Sequence, residues 1–285
     1  MSDENKKEIK MKALSNLKSG LMEKMPFQLR YYYAFYKMLN RRPRVLFPKD
    51  YRDYVFSANF FNKHKKHAFL ADKYLARDYV KSKGLGEYLT TLYGVWDDAS
   101  KIDFNALPNQ FVIKCNHSAD MNIIVYDKSK LDYEDARKKL DKWMHTKHDV
   151  FWERHYFYIK PMILCEELIP GNTPGDYKFH CASGKPVFIQ YCTERSETSV
   201  GKRIVFSPSW ERMPYTIEND FRHTDEIVEK PYNLNKMLEI ASILSEDLEY
   251  SRIDLYEVDR VVDGVEEHKI YFGEITLTPQ GGLLN

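Results

Sequence analysis

The feature that most restricts the fold is a pair of β-rich segments near the C terminus, 251–258 and 269–277, on either side of Asp263-Gly264. Both segments alternate with a period of two and the Asp-Gly pair favours a tight turn, so together they predict an antiparallel hairpin. Residues of one parity share one face of each strand. The first strand then presents Arg252, Asp254 and Tyr256 on one face, and the second presents Phe272, Glu274 and Thr276.

The register of this hairpin decides which of those side chains meet. A three-residue loop at 263–265 pairs Val262 with Glu266, and the same register sets Asp254 opposite Glu274. Adjacent carboxylates repel each other unless a cation lies between them, and Mg²⁺ binds through one or two carboxylates together with substrate phosphates. The pattern fits a metal–triphosphate site, and it also fits the exposed polar face of an ordinary hairpin.

The remaining patterns predict a mixed α+β fold. Residues 1–85 read as helical, and Ala71–Val80 is a helix that Gly84 stops. Further strands are predicted at 111–115, 121–126, 161–168, 177–181 and 186–191, and helices at 131–144 and after Asn233, which is a predicted N-cap. No internal repeat or long Gly/Ser linker separates these elements, so short connections join them.

Composition and charge exclude several classes of protein. The 43 basic and 42 acidic residues are balanced, which gives no global argument for nucleic-acid binding. No apolar run reaches the roughly 18 residues of a membrane span, and the charged first twenty residues lack the pattern of a secretory signal, so we expect a cytoplasmic protein.

The cysteines and histidines predict no zinc site. The four cysteines form no CxxC pair, and we interpret them as buried thiols. His145 and His148 lack the other ligands of a zinc site, and we interpret them as a solvated pair.

Aromatic and basic residues are interleaved between positions 27 and 47. Such a segment can lie on anionic lipid, which would bring the protein to the inner face of the membrane as a peripheral contact. It can equally be a helix that packs its aromatic side chains inward and extends its basic groups to solvent.

Several ordered motifs resemble the TupA-like branch of the ATP-grasp superfamily, which is associated with teichuronopeptide, capsule and other surface-polysaccharide synthesis. The resemblance spans about residues 45–282. The motifs are ADKYLARDYV at 71–80, LPNQFVIKCNH at 107–117, NIIVYDKSKLDYEDARKKLDKW at 122–143, IKPMILCEELI at 159–169, DYKFHCASGKPVFIQ at 176–190, and RIDLYEV followed by KIYFGEITLTP within 252–279.

The resemblance implies an α+β ATP-grasp fold, in which two α+β subdomains at 86–160 and 161–285 clasp a nucleotide. A helical N-terminal region at 1–85 precedes them in the chain. It implies ATP and Mg²⁺ as cofactors. The residues matched to ATP contacts are Lys73, Lys114, His117, Ser118, Glu166, Glu167, Ile169 and Tyr256. Asp254, Glu274 and Thr276 match metal ligands, and Arg252 matches the arginine at the transferring phosphoryl group. Lys178 and Arg195 are candidates for holding phosphate or the acceptor carboxylate, and a role as surface residues is the alternative for both.

Lys114 also has an argument of its own. It lies inside the apolar run FVIKC, where an unpaired ammonium is costly, so the run itself favours a bound anion at this lysine. Lys73, by contrast, can be read as an ordinary solvated helix lysine, and the Glu166-Glu167 pair as the surface end of a strand.

The activity that the resemblance implies is an ATP-dependent carboxylate–amine ligase. Its partners would be a nucleotide, a carboxylated sugar or glycan acceptor such as a uronic acid, and an amino acid or other amine, joined through an acyl phosphate. Two alternatives stay open: a catalytically degenerate nucleotide-binding scaffold of a polysaccharide assembly complex, and a transferase of the sugar-kinase or glycosyltransferase type.

This chain departs from the family pattern at three places. The loop 116–122 has no glycine, although bare backbone normally approaches phosphates there, and it carries Asp120. Thr276 stands where many relatives have an asparagine ligand, and Gln280 where a glycine commonly follows the proline. Relatives often continue beyond this last motif, so the resemblance implies that a short C-terminal element of theirs is absent after Asn285.

Overall fold

A computed structural model describes residues 25–118, 121–146, 152–170, 175–193, 202–215, 227–262 and 265–283. The helices are α1 Phe27–Leu39, α2 Tyr51–Phe60, α3 Ala68–Ala71, α4 Leu75–Ser82, α5 Tyr133–Met144 and α6 Leu234–Ser245. Short 3₁₀ turns occur at Lys65–His67, Gly86–Tyr88, Ala99–Lys101, Phe104–Ala106, Lys128–Lys130, Arg154–Tyr158 and Pro279–Gly282. No helix in this part of the chain has the length and apolar character of a membrane span.

The N-terminal helices form an aromatic cluster of their own. The rings of Tyr31 and Phe56 stack with centroids 4.3 Å apart, and Phe35 meets Phe56 edge-on at 4.9 Å. α2 begins at a capping carboxylate, since the Asp50 side chain accepts the N–H of Asp53. These contacts fix α1 and α2 against each other.

The predicted helix at 71–80 begins later than its periodicity suggested. The Asp72 side chain accepts the N–H groups of Tyr74 and Leu75, which interrupts the helix after Ala71 and starts a new one at Leu75. Gly84, with φ +75°, adopts the left-handed conformation expected at the stop. The break matters because Lys73 lies in it.

The first sheet has four strands, β1 Leu92–Trp96, β2 Phe111–Cys115, β3 Asn122–Val125 and β4 Ile163–Glu166, in the order β1-β4-β2-β3. Every pairing in it is antiparallel. α5 packs on one face and buries Ala136 and Leu140 against Phe111 and Ile113. The strands predicted at 111–115 and 121–126 and the helix predicted at 131–144 are confirmed to within two residues, whereas β1 was not predicted.

The second sheet has five strands, β5 Gly175–Ala182, β6 Lys185–Thr193, β7 Lys202–Phe206, β8 Tyr250–Val262 and β9 Val265–Thr276, in the order β7-β6-β5-β8-β9. Its core contains α6 and also α3 and α4, which contribute Leu70 and Val80. α3 and α4 thus pack on the second sheet. The four cysteines lie buried as free thiols, as predicted.

The start of α6 differs from the expectation. Asn233 does not cap the helix with its side chain. Instead the Glu257 carboxylate accepts the N–H groups of Tyr232 and Asn233, and the Asn233 amide donates to the carbonyl of His268. The cap comes from β8, a partner too distant in sequence for a local capping rule to identify.

The predicted division at 1–85, 86–160 and 161–285 stays a prediction. The sheet order adds one point to it: β4, at Ile163–Glu166, belongs to the first sheet, and the second sheet begins at Gly175.

Candidate active site

The two hairpin carboxylates lie opposite each other, as the sequence predicted, but by a different route. Val262 pairs with Val265, so the loop holds two residues and not three, and the register shifts by one between Leu255 and Asp254. A β-bulge at Gly273 supplies that shift and sets Asp254 opposite Glu274. The extra residue also separates Phe272 from Glu274: Phe272 is buried in the core, so the predicted common face of these two residues is wrong.

Gly273 fits the bulge because it has no side chain. A Cβ at this position would lie 2.8 Å from the Tyr256 ring and 2.9 Å from the carbonyl oxygen of Asp254. Both distances are too short for real contacts, so the close approach of β8 and β9 here requires glycine.

Asp254 is the centre of a buried ion-pair cluster. It is only 1% exposed. Arg252 donates from Nε to Oδ1 and from Nη2 to Oδ2, both at 2.7 Å, and the Lys178 Nζ donates to Oδ2 at 2.6 Å. Burial alone raises the pKa of Asp254, but Arg252 and Lys178 outweigh it and hold the pKa well below its usual range.

Lys178 is shared between two carboxylates. Its Nζ lies 2.6 Å from both Asp254 Oδ2 and Asp176 Oδ2. Burial acts to lower the pKa of Lys178, but these two carboxylates raise it, so the side chain stays charged. Burial raises the pKa of Asp176 itself. Asp176 was not predicted as a site residue, although its i, i+2 spacing from Lys178 on a strand was a usable signal.

Glu274 is more open than Asp254. Its side chain is 29% exposed and accepts from Arg252 Nη2 at 3.1 Å and from the Thr276 hydroxyl at 3.3 Å, while Lys73 Nζ lies 3.7 Å from its Oε2. The Lys73 ammonium also donates to the carbonyl of Ser118 at 2.5 Å. Lys73 therefore contacts both the loop that follows β2 and the carboxylate on β9.

A second ion-pair cluster lies on the first sheet. The Lys114 Nζ is 2.5 Å from Glu166 Oε2, and Arg77 Nη1 is 2.9 Å from Glu166 Oε1. Burial raises the pKa of Glu166, but Lys114 and Arg77 outweigh it and lower the pKa. The premise that Lys114 has no protein partner is wrong, because β2 and β4 pair side by side and bring Glu166 next to it.

Arg77 was not predicted as a site residue. It is held by Glu166 and by Thr90, whose carbonyl accepts from Nη2 at 2.5 Å. It lies 89 positions from Glu166 in the chain. No local pattern in the sequence shows such a contact. The available signal is that Arg77 lies on the buried face of α4, where a charged side chain needs a partner.

The other predicted nucleotide contacts are spread around these clusters. Glu167 is engaged elsewhere, since its carboxylate accepts from the N–H and hydroxyl of Thr91. Ile169 is half-buried after β4. Tyr256 lies across from Asp176 on the neighbouring strand, and Asp176 together with burial raises its pKa.

The loop after β2 is anchored at its first residue. The Asn116 amide donates to Asp72 Oδ2 at 2.9 Å and to the carbonyl of Lys160 at 3.0 Å, and its Oδ1 accepts the N–H of Met162 at 2.7 Å. Burial lowers the pKa of His117, which lies near backbone groups of Trp143. Predicted Arg195, like Asp120, lies outside the described residues.

A third buried acid lies close to the hairpin. Glu153 accepts the N–H of Gln280 at 3.2 Å, and burial raises its pKa to about 8, opposed by the charge of Arg252. It was not predicted, because its neighbours on the C-terminal turn are more than one hundred positions away.

The donor set fits Mg²⁺ delivered with a nucleotide. Asp254, Glu274 and Thr276 offer hard oxygen donors of the kind Mg²⁺ takes. The cluster is electrically balanced, with the carboxylates Asp176, Asp254 and Glu274 against the cations Lys73, Lys178 and Arg252. Within the described ranges no group of three His, Cys, Asp or Glu side chains is placed to hold a metal ion. Mg²⁺ bound to these side chains would take its remaining ligands from water and from substrate phosphates, as it commonly does in nucleotide sites.

The fold is the α+β fold of an ATP-grasp protein. The chain belongs to the TupA-like ATPgrasp family, whose sequence model matches residues 54–285. Among curated proteins none matches the chain.

Solved structures of ligases are similar to this chain. One is D-alanine–D-alanine ligase from Bacillus anthracis complexed with ATP, at 16% identity and a TM-score of 0.45, over 74% of this chain and 56% of that one. Another is the L-amino acid ligase from Bacillus licheniformis, at 13% identity and a TM-score of 0.45, over 79% and 48%. The chain thus spans about half the length of these proteins.

Proposed function

We propose that this protein is an ATP-dependent carboxylate–amine ligase. The observation that carries the proposal is the position of Lys73, whose ammonium contacts the Ser118 carbonyl and lies 3.7 Å from Glu274. This contact brings the loop of the first sheet and the carboxylates of the second to one place. A triphosphate that lies between them would meet cations from both sides, which its charge requires.

The residues then take distinct roles. Lys73 and Lys114 would bind the phosphates, and Asp254, Glu274 and Thr276 would hold Mg²⁺, which would neutralise phosphate charge. Arg252, fixed by Asp254, would stabilise the charge that develops on the transferring phosphoryl group. The carboxylate substrate attacks the γ-phosphate with release of ADP, and an amine then displaces phosphate from the acyl phosphate to give an amide.

We propose a uronic acid of a surface polysaccharide or its precursor as the acceptor, and an amino acid as the amine. The TupA-like family membership supports this choice. A cytoplasmic location, where ATP is supplied, belongs to the same proposal. Lys178 is the candidate for the acceptor carboxylate, although its two carboxylate partners at 2.6 Å leave it strongly engaged.

A nucleotide-binding scaffold is the second candidate. The observation that favours it is that Asp254 is already paired with two cations and Asn116 is fixed by three hydrogen bonds. A site so fully satisfied can bind a nucleotide without having the freedom to close around a reaction.

The test measures ADP release with ATP, Mg²⁺ and paired uronic acids and amino acids, with hydroxylamine as a substitute amine. A ligase releases ADP only with a carboxylate present and yields a hydroxamate from hydroxylamine. A sugar kinase releases ADP and yields a stable phosphorylated sugar, and a scaffold binds ATP without turnover. Glu274→Gln should abolish ADP release, whereas the exposed control Glu211→Gln should not. ATP binding without ADP release for every pair would refute the ligase.

A further inference from the structure

The segment 25–49 combines two properties that the ligase chemistry does not use. It contains six lysines and arginines and no aspartate or glutamate. It also exposes several large apolar side chains. The surfaces of water-soluble proteins commonly carry such side chains singly, but seldom several of them in one short segment. Leu46 is 72% exposed and Phe47 is 83% exposed.

The helix α1 is apolar on two opposite sides. Tyr31 and Phe35 point inward and are buried against α2. Leu29, Tyr33 and Tyr36, at i, i+4 and i+7, are exposed and form a single line along the helix, because these spacings return to one face. We refer to these three residues as the outer stripe. The inward aromatics account for the helix packing, and they leave the outer stripe without a role in the core.

Basic groups accompany the outer stripe. Lys37 lies on the same helix with its Nζ 5.7 Å from the centre of the Tyr33 ring. Arg42, Arg44 and Lys49 follow as exposed residues. The nearest acids do not cancel these charges, because Arg41 is the residue that pairs with both Asp50 and Asp53.

We infer that the outer stripe and the Leu46–Phe47 turn bind the surface of an anionic lipid membrane. Tyrosine rings with an apolar body and a polar tip suit the boundary between headgroups and acyl chains, and lysines and arginines beside them suit anionic headgroups. An acidic protein partner would match the charges but not the line of exposed aromatic and aliphatic groups. The inference is independent of the proposed ligase activity, since it uses no residue of the active site.

The test is sedimentation of the whole protein with vesicles of phosphatidylcholine, with and without roughly 30% phosphatidylglycerol. We expect binding to the anionic vesicles only, and loss of that binding between about 50 mM and about 500 mM salt. Lys37→Gln, Arg42→Gln and Arg44→Gln together should weaken it about a hundredfold, since each cation near an anionic surface contributes roughly fivefold.

Matched controls separate this surface from general charge and hydrophobicity. Lys101→Gln, Lys130→Gln and Lys138→Gln remove three exposed lysines on the first-sheet side and should change binding by no more than about twofold. Leu46→Ser with Phe47→Ser should weaken binding about tenfold or more, and Ile227→Ser with Tyr232→Ser, also exposed, should not. Thermal melting checks that every variant is folded.

Two results would overturn the inference. One is a wild-type protein that fails to bind anionic vesicles at low salt. The same conclusion follows if the triple variant at Lys37, Arg42 and Arg44 and the double variant at Leu46 and Phe47 bind as the wild type does. The other is self-association: if the wild type sediments as an oligomer and Leu29→Ser, Tyr33→Ser and Tyr36→Ser convert it to a monomer, a second copy covers the outer stripe, and lipid does not.

Discussion

Replacing Asp254 with asparagine should destabilise the fold as well as abolish turnover. A solvent-exposed hairpin carboxylate would be dispensable for stability, but this one is 1% exposed and holds Arg252 and Lys178. Breaking a buried ion pair by removing one partner costs about 3–5 kcal/mol, because the other charge is left buried and uncompensated. Each cation retains one carboxylate, Glu274 for Arg252 and Asp176 for Lys178, so we expect a loss near the lower end, about 3 kcal/mol.

Urea unfolding at neutral pH, followed by circular dichroism, measures this loss as a lower midpoint at unchanged slope. Glu274→Gln is the matched control and should lose less than about 1 kcal/mol, because Glu274 is 29% exposed and screened by solvent. The Lys178→Met and Asp254→Asn double-mutant cycle should give a coupling of about 2 kcal/mol. An Asp254→Asn protein within about 0.5 kcal/mol of the wild type would refute the buried cluster.

Acid titration gives an independent check on the same cluster. The folded-state pKa of Asp254 is lowered, so its stabilisation is present above the unfolded pKa of about 3.9 and is lost as pH falls through the folded value. The difference in unfolding free energy between wild type and Asp254→Asn should therefore narrow in acid. A constant difference down to about pH 2 would contradict the assignment.

Three further predictions concern other sites. Lys114→Ala should weaken ATP binding about tenfold or more by calorimetry, while Lys101→Ala should not; equal affinities would remove Lys114 from the site. Gln280→Gly should raise the free energy of unfolding by about 0.5 kcal/mol, because Gln280 has φ +45° and an exposed side chain. A free energy of unfolding below that of the wild type would show that the backbone at Gln280 is unstrained. Burial raises the pKa of Glu153 to about 8, so the free energy of unfolding of the wild type should fall as the pH rises from about 5 to about 8. Glu153→Gln should remove this decline, which is on the order of a few kcal/mol. Parallel curves of unfolding free energy against pH for the two proteins would disprove the buried acid.

Local patterns predicted most of the strands and the pairing of Asp254 with Glu274, but for a reason that was half right. The prediction placed one residue too many in the loop and missed the extra residue of the bulge on β9. Each error shifts the register by one residue, so the two cancelled at the carboxylates. They did not cancel at Phe272, which the alternation placed with Glu274 and the bulge places in the core. An isolated glycine within a strand was the available signal for that bulge.

The ion-pair partners were harder to predict, because they depend on which strands become neighbours. Glu166 meets Lys114 because β2 and β4 pair, and it meets Arg77 because α4 packs nearby, over separations of 52 and 89 residues by the numbering. A charge in an apolar strand signals that a partner exists. Without the sheet order it does not identify whether that partner is a ligand or another part of the chain.

The bulge also determines how this site can change. Because a side chain at 273 would come within 3 Å of Tyr256 and Asp254, mutations at this position that leave both acids intact would still separate them. Among the described residues, the last pairing of β8 with β5 is at Glu257. The distal part of the hairpin, 258–262 and 265–269, extends beyond it, so it can gain or lose residue pairs while the acids stay in register. The geometry of the site thus depends on Gly273, a residue that contributes no side chain to it. The distal part of the hairpin can change in length without moving the two acids.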